Sequence, residues 1–157
     1  MVAPNPINST EGKLGLVLEA RQGKVILSLP VTTVSEANGG VKKSFVNKAG
    51  KTCYKNEHWR ERNDRHKLQK RMVYLALNPV RNFISFPCHV KITRLAPKKV
   101  DRWDNLPYSV KWILDQVCAI LTGDFRPGRA DDDDEKITVS YDQFVNKDYF
   151  VIIEITN

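Results

Sequence analysis

The chain has 157 residues, 41% of them hydrophobic, with 8 Gly, 8 Pro and a formal net charge of +7. This profile suits one compact domain and excludes a collagen-like or disordered chain; without an apolar run near 20 residues it also excludes a membrane-spanning helix. The three cysteines, Cys53, Cys88 and Cys118, are widely spaced and form no C-x-x-C pair, which argues against a disulfide framework or a zinc ribbon and points to a reducing cytoplasm.

Residues 1–12, rich in Pro, Asn, Ser and Thr, read as a flexible leader without the apolar stretch of a secretory signal. Residues 13–157 read as the folded domain. Lys13–Arg21 and Lys24–Val31 are β-prone runs separated by Gln22-Gly23, a plausible hairpin. Thr32–Lys55, with Asn38-Gly39-Gly40 and Ala49-Gly50-Lys51, reads as an irregular basic loop, of a length that is usually functional or mobile.

From Asn56 to Leu77 neither Gly nor Pro intervenes. Trp59, Leu68, Met72, Leu75 and Ala76 can share one helical face, and Arg60, Arg62, Arg65, Lys67, Lys70 and Arg71 crowd the others. Asn78-Pro79 ends this basic amphipathic helix. Phe83–Leu95 then alternates as a strand. Asp104-Asn105-Leu106-Pro107 has the form of a helix start, with Asp104 at or near the N-cap. The helix runs to about Leu121 with Val110, Ile113, Leu114, Val117, Ile120 and Leu121 as its buried stripe, and Gly123 is its stop. After a polar loop over Phe125–Asp134, Ile137–Asp142 alternates as a strand. Tyr149–Thr156 makes the last strand, expected to pair with it through the turn Asn146-Lys147-Asp148.

Charge divides along the chain. Residues 1–100 carry 19 Lys+Arg and 6 Asp+Glu, whereas residues 101–157 carry 6 and 12. A polyanion such as nucleic acid suits the first part, but twelve carboxylates repel a phosphate backbone unless a cation lies between. The phosphate-cradling G-x-x-x-x-G-K-[ST] and G-x-G-x-x-G loops are missing, so no nucleotide cofactor is expected. H-E-x-x-H and G-x-S-x-G are missing too. What remains is oxygen chemistry: Asp101 and Asp104 at a helix entrance, Asp115 within the helix, and Asp131–Asp134 before a strand. One or two carboxylates with water and substrate phosphate hold Mg²⁺. Each group has a plainer explanation: Asp104 as a cap, Asp115 as the i,i+4 partner of Lys111, Asp131–Asp134 as a solvated loop, Trp59 and Trp112 as core.

The order of the pieces is more specific than any one of them. Val90-Lys91-Ile92-Thr93-Arg94, Asp101-Arg102-Trp103-Asp104-Asn105-Leu106, Lys111-Trp112-Ile113-Leu114-Asp115 and Ala130-Asp131-Asp132-Asp133-Asp134-Glu135-Lys136-Ile137 together resemble the RusA family of Holliday junction resolvases. Its pattern is a basic strand, D-x-D-N-L, a helix carrying K-x-x-x-D, and a D-D-rich loop entering a strand. Leu29-Pro30 with Ser35 and Asn38, and His58-Trp59-Arg60-x-Arg62 with Lys67, extend the likeness upstream. Arg102 stands where the family pattern has its first Asp, and Asp101 is offset by one.

The resemblance implies a homodimeric, Mg²⁺-dependent endonuclease that cuts branched DNA, with Mn²⁺ a possible substitute. Asp104 and Asp134 would be catalytic metal ligands, helped by Asp131 and Asp101, and Lys111 would lie near the scissile phosphate. Lys42, Lys43, Lys48, Lys51, Arg60, Arg62, Arg65, Lys67 and Arg71 would bind the DNA arms through phosphates. The alternative is a catalytically impaired relative that binds branched DNA without cutting. The expected fold is α+β: a single domain, RusA-like, in which a mixed sheet packs with two main helices.

Overall fold

In the computed structural model, which describes residues 15–36, 42–126 and 135–157, period-two alternation builds a five-stranded sheet. Its strands are β1 (Leu16–Arg21), β2 (Lys24–Leu29), β5 (Cys88–Ala96), β6 (Ile137–Val145) and β7 (Phe150–Thr156), in the spatial order β1-β2-β7-β5-β6. Only β5 and β6 are parallel; the other neighbours are antiparallel. The register aligns Val25, Ile155 and Val90 across three strands. One face of the sheet is thereby uniformly apolar: Val25, Leu27 and Leu29, then Val151, Ile153 and Ile155, then Val90 and Ile92 are all buried.

Helices α1 (Trp59–Leu77) and α2 (Asn105–Thr122) cover that face. The stripe expected on α2 is buried, with Val110, Ile113, Leu114, Val117 and Ile120 in the core and Leu121 packed beside it. Gly123 ends the helix at φ 75°, where a Cβ would be strained. The fold is thus the expected α+β single domain with a mixed sheet and two main helices.

Four local expectations need correction. Thr32–Lys55 is not irregular throughout: β3 (Lys42–Val46) and β4 (Thr52–Asn56) form a separate two-stranded antiparallel sheet. Ala49-Gly50-Lys51 is its turn, and the Asn47 side-chain oxygen accepts hydrogen bonds from the Ala49 and Lys51 N–H groups at 3.0 and 2.9 Å. The buried face of α1 is Gln69, Met72, Val73, Ala76 and Leu77, leaving Trp59, Leu68 and Leu75 exposed. A 3-10 segment over Asn78–Phe83 follows α1, so β5 begins at Cys88 instead of Phe83. Finally, β6 and β7 do not pair, because β5 lies between them. Asn146 N–H donates to the Ala96 carbonyl at 2.9 Å as the connection steps across the end of β5.

Both helices run from the carboxyl ends of β2 and β5 toward their amino ends. Val100, on the way into α2, exchanges hydrogen bonds with the Gln143 side chain near the end of β6. At the other end the Lys136 carbonyl accepts from Cys88 N–H, where β5 and β6 begin. The leader, residues 1–12, lies outside the described residues.

Candidate nucleic-acid interface

The two helices start level. His66 stacks on Trp112 with ring centroids 4.3 Å apart, and each residue lies seven positions after the first residue of its helix. Lys70 Nζ stands 5.0 Å over the same indole. Two full turns above that contact, Trp59 and Asn105 therefore begin their helices at one end of the molecule.

The segment after β2 runs through this end and is held by buried polar groups. Gln69 Nε2 donates to the Thr32 carbonyl at 2.7 Å. Arg94, on the core face of β5, donates to Thr33 Oγ1 at 3.0 Å, the Thr33 carbonyl at 3.2 Å and the Lys98 carbonyl at 2.9 Å. Burial lowers the pKa of this guanidinium, since a charge away from water is disfavoured. Ser35 bonds the Asn105 side chain. Glu36 accepts from Arg65 Nη2 at 2.5 Å and from His66 Nε2 at 2.7 Å. Burial by itself would raise the Glu36 pKa, but the hydrogen bonds and charges of His66 and Arg65 outweigh it and hold the carboxyl below its ordinary value. Arg65 also grips Glu57, whose side chain is only 4% exposed. Its pKa, which burial would lower, is raised by the two glutamates.

At the start of α2 the expected cap is corrected. Asp104 occupies the N-cap position without a side-chain cap hydrogen bond. Asp101 instead holds the turn that leads into α2: its Oδ1 accepts from the N–H groups of Trp103 and Asp104, both at 3.0 Å, and its backbone carbonyl accepts from the N–H of Leu106, the second residue of the helix, at 2.8 Å. The Asp104 carboxylate is exposed and makes no cap hydrogen bond. Lys111 pairs with Asp115 across one turn at 3.3 Å, half-exposed, which is the plainer of the two explanations weighed for these residues.

Asp131 and Asp134 lie outside the described residues. Glu135 and Lys136, which follow them, stand at the amino end of β6, whereas Asp101 and Asp104 stand near its far end beside Gln143. Six residue steps along the strand separate Ile137 from Gln143, about 20 Å. One chain does not bring Asp104 and the flank of the acidic run to a common point. Among the described residues no group of three His, Cys, Asp or Glu side chains is placed to hold a metal ion.

The basic residues fall into two kinds. Lys42, Lys43, Lys48 and Lys51 are exposed on the β3–β4 hairpin, and Arg60, Lys67 and Arg71 are exposed along one face of α1. Lys43 Nζ donates to Glu61 at 2.7 Å and joins hairpin to helix; that contact holds the Glu61 pKa below its ordinary value. Arg65 is of the other kind, with a side chain 14% exposed between two glutamates, and leaves the set free to meet phosphates. Arg62 is half-buried, and its Nε has no hydrogen-bond partner among the described residues.

Sequence reading overlooked Glu36, Glu57, His66 and Arg94. The available signal was Arg94 itself: a cation at an inward-facing place of an otherwise apolar alternation requires buried acceptors. Among the described residues no helix is long and apolar enough to cross a membrane. Comparison with protein-family models, with curated proteins and with solved structures yields no match.

Proposed function

We propose that the chain is a Mg²⁺-dependent, structure-specific endodeoxyribonuclease of RusA-like type, resolving Holliday junctions and other branched DNA by phosphodiester hydrolysis. The observation that carries this reading is the exposed Asp104 carboxylate, which makes no cap hydrogen bond, at the end of the molecule where α1 presents Arg60 and the hairpin is tied on through Lys43 and Glu61. Phosphate contacts from Lys42, Lys48, Lys51, Arg60, Lys67 and Arg71 would fix the register of the DNA without reading its sequence.

Asp104, with Asp134 and Asp131 of the acidic run, would hold the metal; one Asp101 oxygen is engaged by two N–H groups, leaving the other for a supporting role. Bound Mg²⁺, or Mn²⁺ in its place, supplies Lewis acidity toward a phosphodiester oxygen and lowers the pKa of bound water. Lys111 is a charge one exchange of partner away from the substrate, since its present partner Asp115 sits at 3.3 Å. Because Asp104 and Glu135 stand apart within one chain, this reading requires a homodimer in which one copy's acidic run meets Asp104 of the other.

Two observations favour a second reading, a RusA-like protein that binds branched DNA without cutting. Arg102 occupies the place of the family's first Asp, and Asp101 spends an oxygen on the turn before α2. The test is cleavage of a labelled four-way junction beside a linear duplex of the same sequence, with Mg²⁺, with Mn²⁺ and with chelator. Paired, metal-dependent nicks in the junction alone are expected, and Asp134→Asn is expected to abolish them while junction binding stays intact or tightens. Tight binding without nicks in either metal establishes the second reading. Normal cutting by Asp134→Asn removes that residue from the site.

A further inference from the structure

Indole rings of soluble proteins ordinarily find burial, yet Trp103 is 83% exposed and Trp59 63% exposed. They sit at the same end of the molecule, one at the first residue of α1 and the other two residues before α2. The His66–Trp112 stack keeps the helix starts level, with axes about 10 Å apart. Asp104 stands between Trp103 and the first residue of α2. Among the described residues neither indole belongs to the buried core.

The surroundings select the occupant. The Arg60 guanidinium lies 5.3 Å over the Trp59 ring, and on the adjoining hairpin Lys55 Nζ lies 5.9 Å over Phe45. Cations layered with exposed aromatic faces suit a ligand that is anionic along its backbone and carries flat rings. Nucleic acid with unpaired bases is that ligand: phosphates meet the cations and bases stack on the indoles. A fully paired duplex offers the phosphates but keeps its base faces covered.

We propose that Trp59 and Trp103 form a stacking platform for unpaired nucleobases at the branch point of DNA. This inference rests on the branched-DNA reading and adds to it the group that recognises the branch. Holding an unstacked base on Trp103 would place the adjoining phosphate beside Asp104, so the platform selects which phosphodiester is presented.

The test uses the full chain in chelator, which prevents cleavage, with three probes: oligothymidylate, a linear duplex, and a four-way junction carrying 2-aminopurine at the branch. The parent protein is expected to bind the junction and quench the 2-aminopurine. Trp59→Ala and Trp103→Ala are each expected to lose about five- to hundredfold in affinity for oligothymidylate and junction, with duplex affinity and salt dependence unchanged. Phenylalanine at either place is expected to restore most of the loss. Both side chains are exposed, so folding is expected to survive, and circular dichroism checks it. Alanine variants that bind and quench like the parent overturn the platform and leave the branched-DNA reading standing. Equal losses on duplex and junction with a shallower salt dependence also overturn it, since the indoles would then act through phosphate contacts. A changed oligomeric state with unchanged junction binding overturns it in favour of a contact between copies. Failure of the parent to bind any of the three DNAs overturns the branched-DNA reading and the platform together.

Discussion

Arg65 and Lys51 are both basic residues in the amino-terminal, positively charged part of the chain, and the structure gives them opposite employment. Arg65 sits in a desolvated setting, bridged to Glu57 and Glu36, with Glu36 in turn bonded to His66. Lys51 stands at the turn of a hairpin whose first strand is exposed along its whole length, and whose tie to α1 is the Lys43–Glu61 pair. Positive charge by itself therefore says little about nucleic-acid contact in this molecule; the counter-charge at each position decides. Where carboxylates fill the guanidinium's donor sites, the cation is structural. Where water fills them, it is available to phosphate.

The largest effect expected from breaking this contrast is on stability. Arg65→Ala leaves Glu57 and Glu36 in a poorly hydrated site without their cation, a loss of about 3–5 kcal/mol, measurable as a shift of the denaturant midpoint. Unaltered stability would mean that the network is solvated. An intermediate effect comes from acid. Glu36 has a folded-state pKa held below its ordinary value near 4.5, so its contribution is fully present above that value and is lost as the pH falls through it toward the lower folded-state pKa. Stability should thus decline below about pH 4.5 more steeply in the parent than in Glu36→Gln; identical profiles would assign the acid sensitivity elsewhere. The smallest effect on folding is expected for Lys51→Ala, where midpoint and cooperativity stay unchanged. On the proposed branched-DNA reading its consequence belongs to binding: weaker association with all DNA forms and a salt slope shallower by about one. If Lys51→Ala leaves the salt slope unchanged, the hairpin does not touch the phosphates.

Much of the fold was legible because it is written in local periodicity. The β1–β2 hairpin around Gln22-Gly23, the alternation of β5 and the stripe of α2 closed by Gly123 all stand near where the sequence places them. The α1 face was misread by one position because Leu68 and Leu75 carry an apolar signal as strong as that of the buried Met72 and Val73, and α1 is basic around most of its circumference. The β3–β4 hairpin escaped because its strands are exposed and mixed in composition, so they lack the one-sided alternation that marks a half-buried strand. At the candidate site, the acidic residues at the α2 entrance were visible as a pattern, but the division of labour between Asp101, which holds the turn, and Asp104, an exposed carboxylate, was not. Both are aspartates in the same short loop, and backbone geometry chooses between them.

The sequence by itself determined both main helices, the strands with one-sided alternation and the charge asymmetry, because periodicity, caps and turn residues act over a few positions along the chain. Tertiary structure alone decided three things. It inserted β7 between β2 and β5, since strand neighbours are set by burial of whole faces rather than by adjacency. It turned Arg65 and Arg94 inward by supplying acceptors from residues far away in sequence, Glu36 and Thr33. And it set Asp104 and Glu135 at opposite ends of the β5–α2–β6 unit, because a helix of 18 residues that returns antiparallel to its strand carries the chain about 27 Å from where it began.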